Sequence, residues 1–241
     1  MWTYREERQQ FYLHQYLIQQ PDLNYKNPIM KEYMFDSIKY WMDLGVDGFR
    51  FDAVTKLVED ERYLDEPQDP STGYEQLKED FKRTNSERTN FMRTNLQFFF
   101  SVTDPGDWLY YDHIYTNNLP ETRQILKEFY DLVKNYKISE RWEERVVMLE
   151  AWLDINSTME YYQCGDFPFN FGFVNLEFLE DDEMPTAKMV AEPINLWLEN
   201  LPDGKTPDWV LGNHDRKRVG TRLGSQFIDI FNMISLTLPG N

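Results

Sequence analysis

Four times along this chain, a stretch with apolar residues at helical spacing hands over to a short apolar run. The clearest case is IMKEYMFDSIKYWMDL, residues 29–44, which stops at Gly45 and leads into a strand at 46–52. A helix over 121–136, opened by Pro120, leads into a strand at 145–151. Residues 186–200 read as a helix before a strand in WVLG at 208–212, and 224–235 as a helix before a strand in SLTLPG. FNFGFV, centred on residues 170–174, reads as a further strand. A helix must bury its apolar stripe, and a wholly apolar strand must be covered on both faces. Alternating the two meets both needs by winding parallel βα units, so the expected fold class is α/β. No internal repeat with a period of 20 to 50 residues overlies this alternation.

The rest of the composition excludes several roles. With 241 residues, 41% hydrophobic and 16% aromatic, the chain can build a sizeable core. Its formal net charge of −17 would repel phosphates, which argues against a nucleic-acid partner. No run of 18 apolar residues suits a membrane helix, and MWTYREERQQ has no apolar signal-peptide core. Cys164 is the only cysteine, so no intrachain disulfide can form. Asn156-Ser157-Thr158 is a glycosylation sequon, meaningful only in the secretory pathway.

Three segments carry the chemistry. GVDGFRFDAV, Gly45 to Val54, places Arg50 and Asp52 two positions apart at a strand end, so both project from one face. A carboxylate beside a guanidinium stays ionised, as a nucleophile requires. VVMLEAW places Glu150 at the end of an apolar strand with Trp152 close by, surroundings suited to raising a carboxyl pKa. WVLGNHDRKRV supplies His214 and Asp215. Taken alone, each has a bland alternative: a strand-end ion pair, an exposed glutamate, or an Asn-His-Asp turn capping a helix.

In their order, these segments resemble conserved regions of the α-amylase superfamily of retaining glycoside hydrolases. QQPDLNYKNP, Gln19 to Pro28, resembles a fourth signature, typical of the oligosaccharide α-glucosidase branch. YREERQQFYLHQ, YDHIYTNN, PFNFGF and LPGN resemble the insect maltases within it. The resemblance implies a (β/α)8 barrel and hydrolysis of terminal α-glucosidic bonds in maltose, sucrose or short malto-oligosaccharides. It implies Asp52 as nucleophile, Glu150 as acid/base and Asp215 as transition-state stabiliser. Arg50, His214 and Arg218 would bind sugar, and Phe169, Phe171 or Tyr63 would stack on it. No cofactor and no metal are implied. His14 and His113 lie outside the motifs and read as structural. Asp22 and Asn24 read as ordering the site wall. Ala53, after the nucleophile, suggests α-1,4 over α-1,6 specificity.

The resemblance also implies parts beyond this sequence. Residues 1–28 are expected to be the tail of the excursion domain after the third barrel strand. Residues 29–241 are expected to be a partial catalytic barrel, roughly strands four to eight. The early strands and the C-terminal β-domain are expected to be missing, and the chain alone to be inactive. Residues 73–100, with RTN at 83–85, 88–90 and 93–95, read as an insertion between flanks that would join naturally, a disordered loop or translated non-coding sequence in preference to a lid. By resemblance the protein is extracellular or membrane-anchored, with any membrane association through the missing termini. Two other readings share the motifs: a non-catalytic barrel such as a transporter heavy-chain ectodomain, and an inactive truncated product.

Overall fold

The computed structural model describes residues 1–69, 110–137, 144–176 and 186–240. The expected insertion at 73–100 lies outside the described residues. Its sheet is parallel, with strands β3 (Gly48–Phe51), β4 (Val146–Leu149) and β5 (Phe167–Pro168) lying in that order. Gly48 pairs with Val146 and Phe51 with Leu149, while Leu149 pairs with Pro168. A parallel bridge between Asn170 and Trp209 carries the arc one step further. Ahead of the sheet stands an antiparallel hairpin, β1 (Trp2–Arg5) and β2 (Gln10–Leu13). That hairpin was not predicted from sequence, because its strands are short and rich in charge.

Helices α1 (Pro28–Asp43) and α2 (Pro120–Asn135) match the sequence expectation within a residue at each end. Their boundaries have local causes. The side chain of Asn27 accepts the Ile29 amide, and Pro28 stands where no intrahelical donor is needed. At the other end Gly45 takes φ +94°, a conformation that favours glycine. Both helices pack on one side of β3 and β4. Met42 and Val133 are fully buried, and Phe129 meets the rings of Phe35, Phe51 and Tyr25 edge-on. Gly48 is required here, since a Cβ would lie 2.8 Å from the Val146 carbonyl oxygen.

A second core gathers Tyr162, Phe173, Trp197, Trp209 and Phe231. It is built on α3 (Ile155–Glu160), α4 (Ala187–Asn200), α5 (Val219–Arg222) and α6 (Ile228–Thr237). The sequon lies on α3, whose first turn is capped by Asp154. Asn156 is exposed there, and the buried Thr158 hydroxyl donates to the Asp154 carbonyl.

Three predicted strands differ from the structure. FNFGFV pairs only at Asn170. The Asn170 side chain then accepts the Gly172 amide and turns the chain, with Asn175 closing onto Phe171. The strand itself lies earlier, at Phe167–Pro168. WVLG contributes a single bridge at Trp209. SLTLPG is not a strand: α6 runs through Thr237, whose hydroxyl, like that of Ser235, donates to a helix carbonyl one turn back. The helix expected at 224–235 accordingly starts and ends later, after a 3-10 turn at Ser225–Phe227 that follows Gly224 at φ +100°.

Asp208 sits where the Asn170 amide donates to its carbonyl, and burial pushes its carboxyl up to about 6. Between the ordinary aspartate value and about 6, the folded state therefore holds a proton that the unfolded state has released. Stability contributed by the neutral carboxyl is full below about 4 and is lost as pH rises through about 6. Asp208→Asn is expected to raise the melting temperature at pH 7 and to flatten its decline between about pH 4 and 6. Parallel melting curves for the two proteins would show Asp208 to be irrelevant.

Candidate active site

The register that pairs Phe51 with Leu149 makes Asp52 and Glu150 the next cross-strand neighbours. The ladder continues past the strand ends: the Glu150 amide donates to the Phe51 carbonyl at 3.0 Å, and the Val54 amide to the Glu150 carbonyl at 3.2 Å. Between these bonds the chain turns through Ala53, a non-glycine residue in the left-handed region at φ 46°. The turn aims the Ala53 amide at Glu150 Oε2, 3.1 Å away.

Arg50 joins the two carboxyls. One guanidinium nitrogen lies 2.5 Å from Asp52 Oδ1, and another lies 3.0 Å from Glu150 Oε2. The Trp152 indole N–H donates to Glu150 Oε1 at 3.1 Å. Glu150 is buried, whereas Asp52 opens to solvent. Their environments push them apart. A hydrogen bond from Glu150 and the Arg50 charge hold Asp52 below the usual aspartate range, against some desolvation. Burial, then the Asp52 contact, raises Glu150 above the usual glutamate range. Asp52 is thus the easier of the two to ionise and Glu150 the harder.

Aromatic rings wall this pair. The Phe169 ring centre lies 5.8 Å from the Arg50 guanidinium. Phe171 stacks on Trp152 with ring centres 3.9 Å and planes 5° apart. Tyr16 approaches from the N-terminal tail. Burial and then the charges of Glu150 and Asp52 push its phenol up to about 12, and the Lys56 ammonium lies 4.7 Å from its ring centre. Sequence reasoning missed Tyr16 and Lys56. Their one signal was proximity to motifs, Tyr16 just before Gln19 and Lys56 just after Asp52.

The third segment is more loosely placed. His214 and Asp215 are exposed on the loop after Trp209, 3.5 Å apart, with the Asp215 amide held by the Asn213 side chain. His214, when charged, favours the Asp52 anion, so this loop faces the pair. Among the described residues no hydrogen bond or ion pair links Asp215 or Arg218 to Asp52 or Glu150. Arg218 is exposed and stands just ahead of α5, without a capping bond from its side chain. Tyr63 lies elsewhere, edge-on to Trp2 beside a cavity of about 690 Å³ that Glu59, Glu66 and Tyr115 also line. His14 is buried and bonded to Thr3 and the Tyr16 carbonyl, a structural role as expected. Asn24 bonds the Lys26 amide within its own loop.

This in-register pair, with its arginine and aromatic wall, is the setting for comparison with known proteins. The model of the α-amylase catalytic domain matches residues 1–241. The chain belongs to the α-amylase catalytic-domain family. Among curated α-amylase-family proteins, Maltase 1 of Drosophila virilis is 36% identical, covering 99% of this chain and 33% of that protein. The α-glucosidase of Apis mellifera is 33% identical, covering 99% of this chain and 35% of that one. This family member thus spans about a third of the length of the curated relatives it matches. The crystal structure of the α-glucosyl transfer enzyme XgtA superposes with a TM-score of 0.69 at 25% identity, covering 99% of this chain and 39% of that one. The fold is therefore the α/β barrel fold of the α-amylase family, and the described strands form an open arc of it. No helix among the described residues is long and apolar enough to cross a membrane.

Proposed function

We propose that this chain carries the catalytic carboxyls of a retaining α-glucosidase acting on maltose, sucrose or short malto-oligosaccharides. The supporting observation is the adjacent pair Asp52 and Glu150 bridged by one arginine, with the acidity of Asp52 strengthened and that of Glu150 weakened. Asp52 attacks the anomeric carbon while Glu150 donates a proton to the leaving oxygen. Glu150 then takes a proton from the water that releases the glucose. Arg50 keeps Asp52 ionised and aimed. Asp215 stabilises the positive charge that develops on the sugar ring, and His214, Arg218 and Phe169 hold that ring. Retention of Asp52, Glu150 and Asp215 together favours this reading over a non-catalytic barrel.

In this reading, residues 1–28 are the tail of the excursion domain, and residues 29–241 form barrel units four to eight. The full substrate ring then needs walls from the remaining strands, and misplacing a substrate by about 1 Å costs on the order of 10²-fold. The 241 residues alone are expected to leave maltose and aryl α-glucosides uncleaved. Joined to the preceding and following segments of an insect relative, they are expected to release glucose with retained α-configuration. Inversion, or a folded but inert chimera, would reject the reading.

A further inference from the structure

The side chain of Glu150 is held from two directions. The Ala53 amide donates to Oε2, which is also ion-paired with Arg50 at 3.0 Å, while Oε1 receives the Trp152 indole N–H. Trp152 itself is part of a closed circuit of contacts. It stacks on the buried Phe171, Phe171 meets Phe169 at 5.8 Å, Phe169 faces the Arg50 guanidinium, and Arg50 returns to Glu150. The circuit draws on the ends of β3 and β4 and on the segment after β5.

We infer that Trp152 is a positioning residue for Glu150: stacked on Phe171, it fixes the carboxyl plane and limits how firmly the carboxyl holds its proton. A donor to a carboxylate oxygen favours the ionised form, whereas burial and a second carboxyl favour the neutral one. Other groups act on Glu150 too. Arg50 and the Ala53 amide favour the anion, and Asp52 favours the neutral form. Tyr16 lies within the field of both carboxyls, and His214 acts on Asp52. Only Trp152 supplies a side-chain donor at Oε1 among the described residues. Without it, the buried oxygen has no such donor, and the carboxyl keeps its proton to higher pH.

The inference rests on the reading of Glu150 as acid/base for its catalytic meaning, but its test reads the carboxyl directly. In the 241-residue chain, carbon-13 labelling follows the Glu150 carboxyl while nitrogen-15 spectra follow the indole N–H groups of the 7 tryptophans. The Trp152 signal is the one lost in Trp152→Phe. It is expected to titrate with the Glu150 midpoint and to lose that pH dependence in Glu150→Gln. Trp152→Phe keeps a ring for the stack and removes the N–H. It is expected to raise the Glu150 midpoint by roughly half a pH unit or more, and Trp152→Leu by at least as much. A Phe variant that titrates like the unmodified chain, with only the Leu variant shifted, would make Trp152 mere packing and overturn the inference. An indole signal that ignores Glu150 would overturn it equally. A shifted midpoint in this chain, alongside a folded but inert chimera, would support it and count against the hydrolase reading instead.

Discussion

Asp52→Asn is expected to lower kcat/KM on maltose by at least roughly 10⁴-fold in the chain completed with segments of a relative. A neutral amide cannot attack the anomeric carbon, so no covalent glycosyl intermediate forms. Folding should be unaffected, because the Asp52 side chain is largely exposed and the ladder on either side of it is made by backbone groups. Mass spectrometry after quenching would detect the glycosyl adduct in the unmodified protein and its absence in the variant. Turnover that survives the substitution would remove Asp52 from the nucleophile's role and reopen the plain ion-pair reading.

Glu150→Gln is expected to separate substrates by leaving group. Maltose, whose departing sugar needs a proton, should slow by roughly 10²–10⁴-fold, while an aryl α-glucoside with a good leaving group keeps a fast first step. The pH profile gives a second view. Burial, then Asp52, raises the Glu150 pKa, so the acid stays protonated further toward neutrality than an ordinary glutamate. Activity on maltose should fall as pH rises through that raised value, and the Gln variant should lack this limb. Equal losses on both substrates would argue against the acid role.

Helices α1 and α2 were legible because caps and periodicity agree: Pro28 and Pro120 open them, and the buried positions recur at helical spacing. Asp52 and Glu150 were legible as chemistry from their own strands. That they sit opposite one another was not, because register is a property of two strands separated by a long stretch of chain. FNFGFV misled because alternating aromatics imitate a strand, while the Asn170 side chain supplies a competing turn. SLTLPG misled through its β-branched and apolar residues, whose preference gave way to helix packing around Phe231. Tyr16 and Lys56 had only their nearness to motifs to mark them, because neither belongs to a strand end, and only folding brings Tyr16 against the pair.

The ladder that runs past β3 and β4 has a stereochemical consequence. Neighbouring strands stand about 4.8 Å apart. Two carboxyls at matching positions on adjacent strand ends therefore begin close to the roughly 5–5.5 Å separation of retaining glycosidases. Had the second carboxyl been borne by β5, two strands from β3, the gap would be about twice as wide. That would leave room for a water between carboxyl and sugar, as inversion needs. Under the proposed reaction, the anomeric configuration of the sugar released then follows from which strand lies beside which. On that proposal, substitutions around the pocket are expected to change which glucoside enters without disturbing that outcome, so long as β3 and β4 remain neighbours in this register.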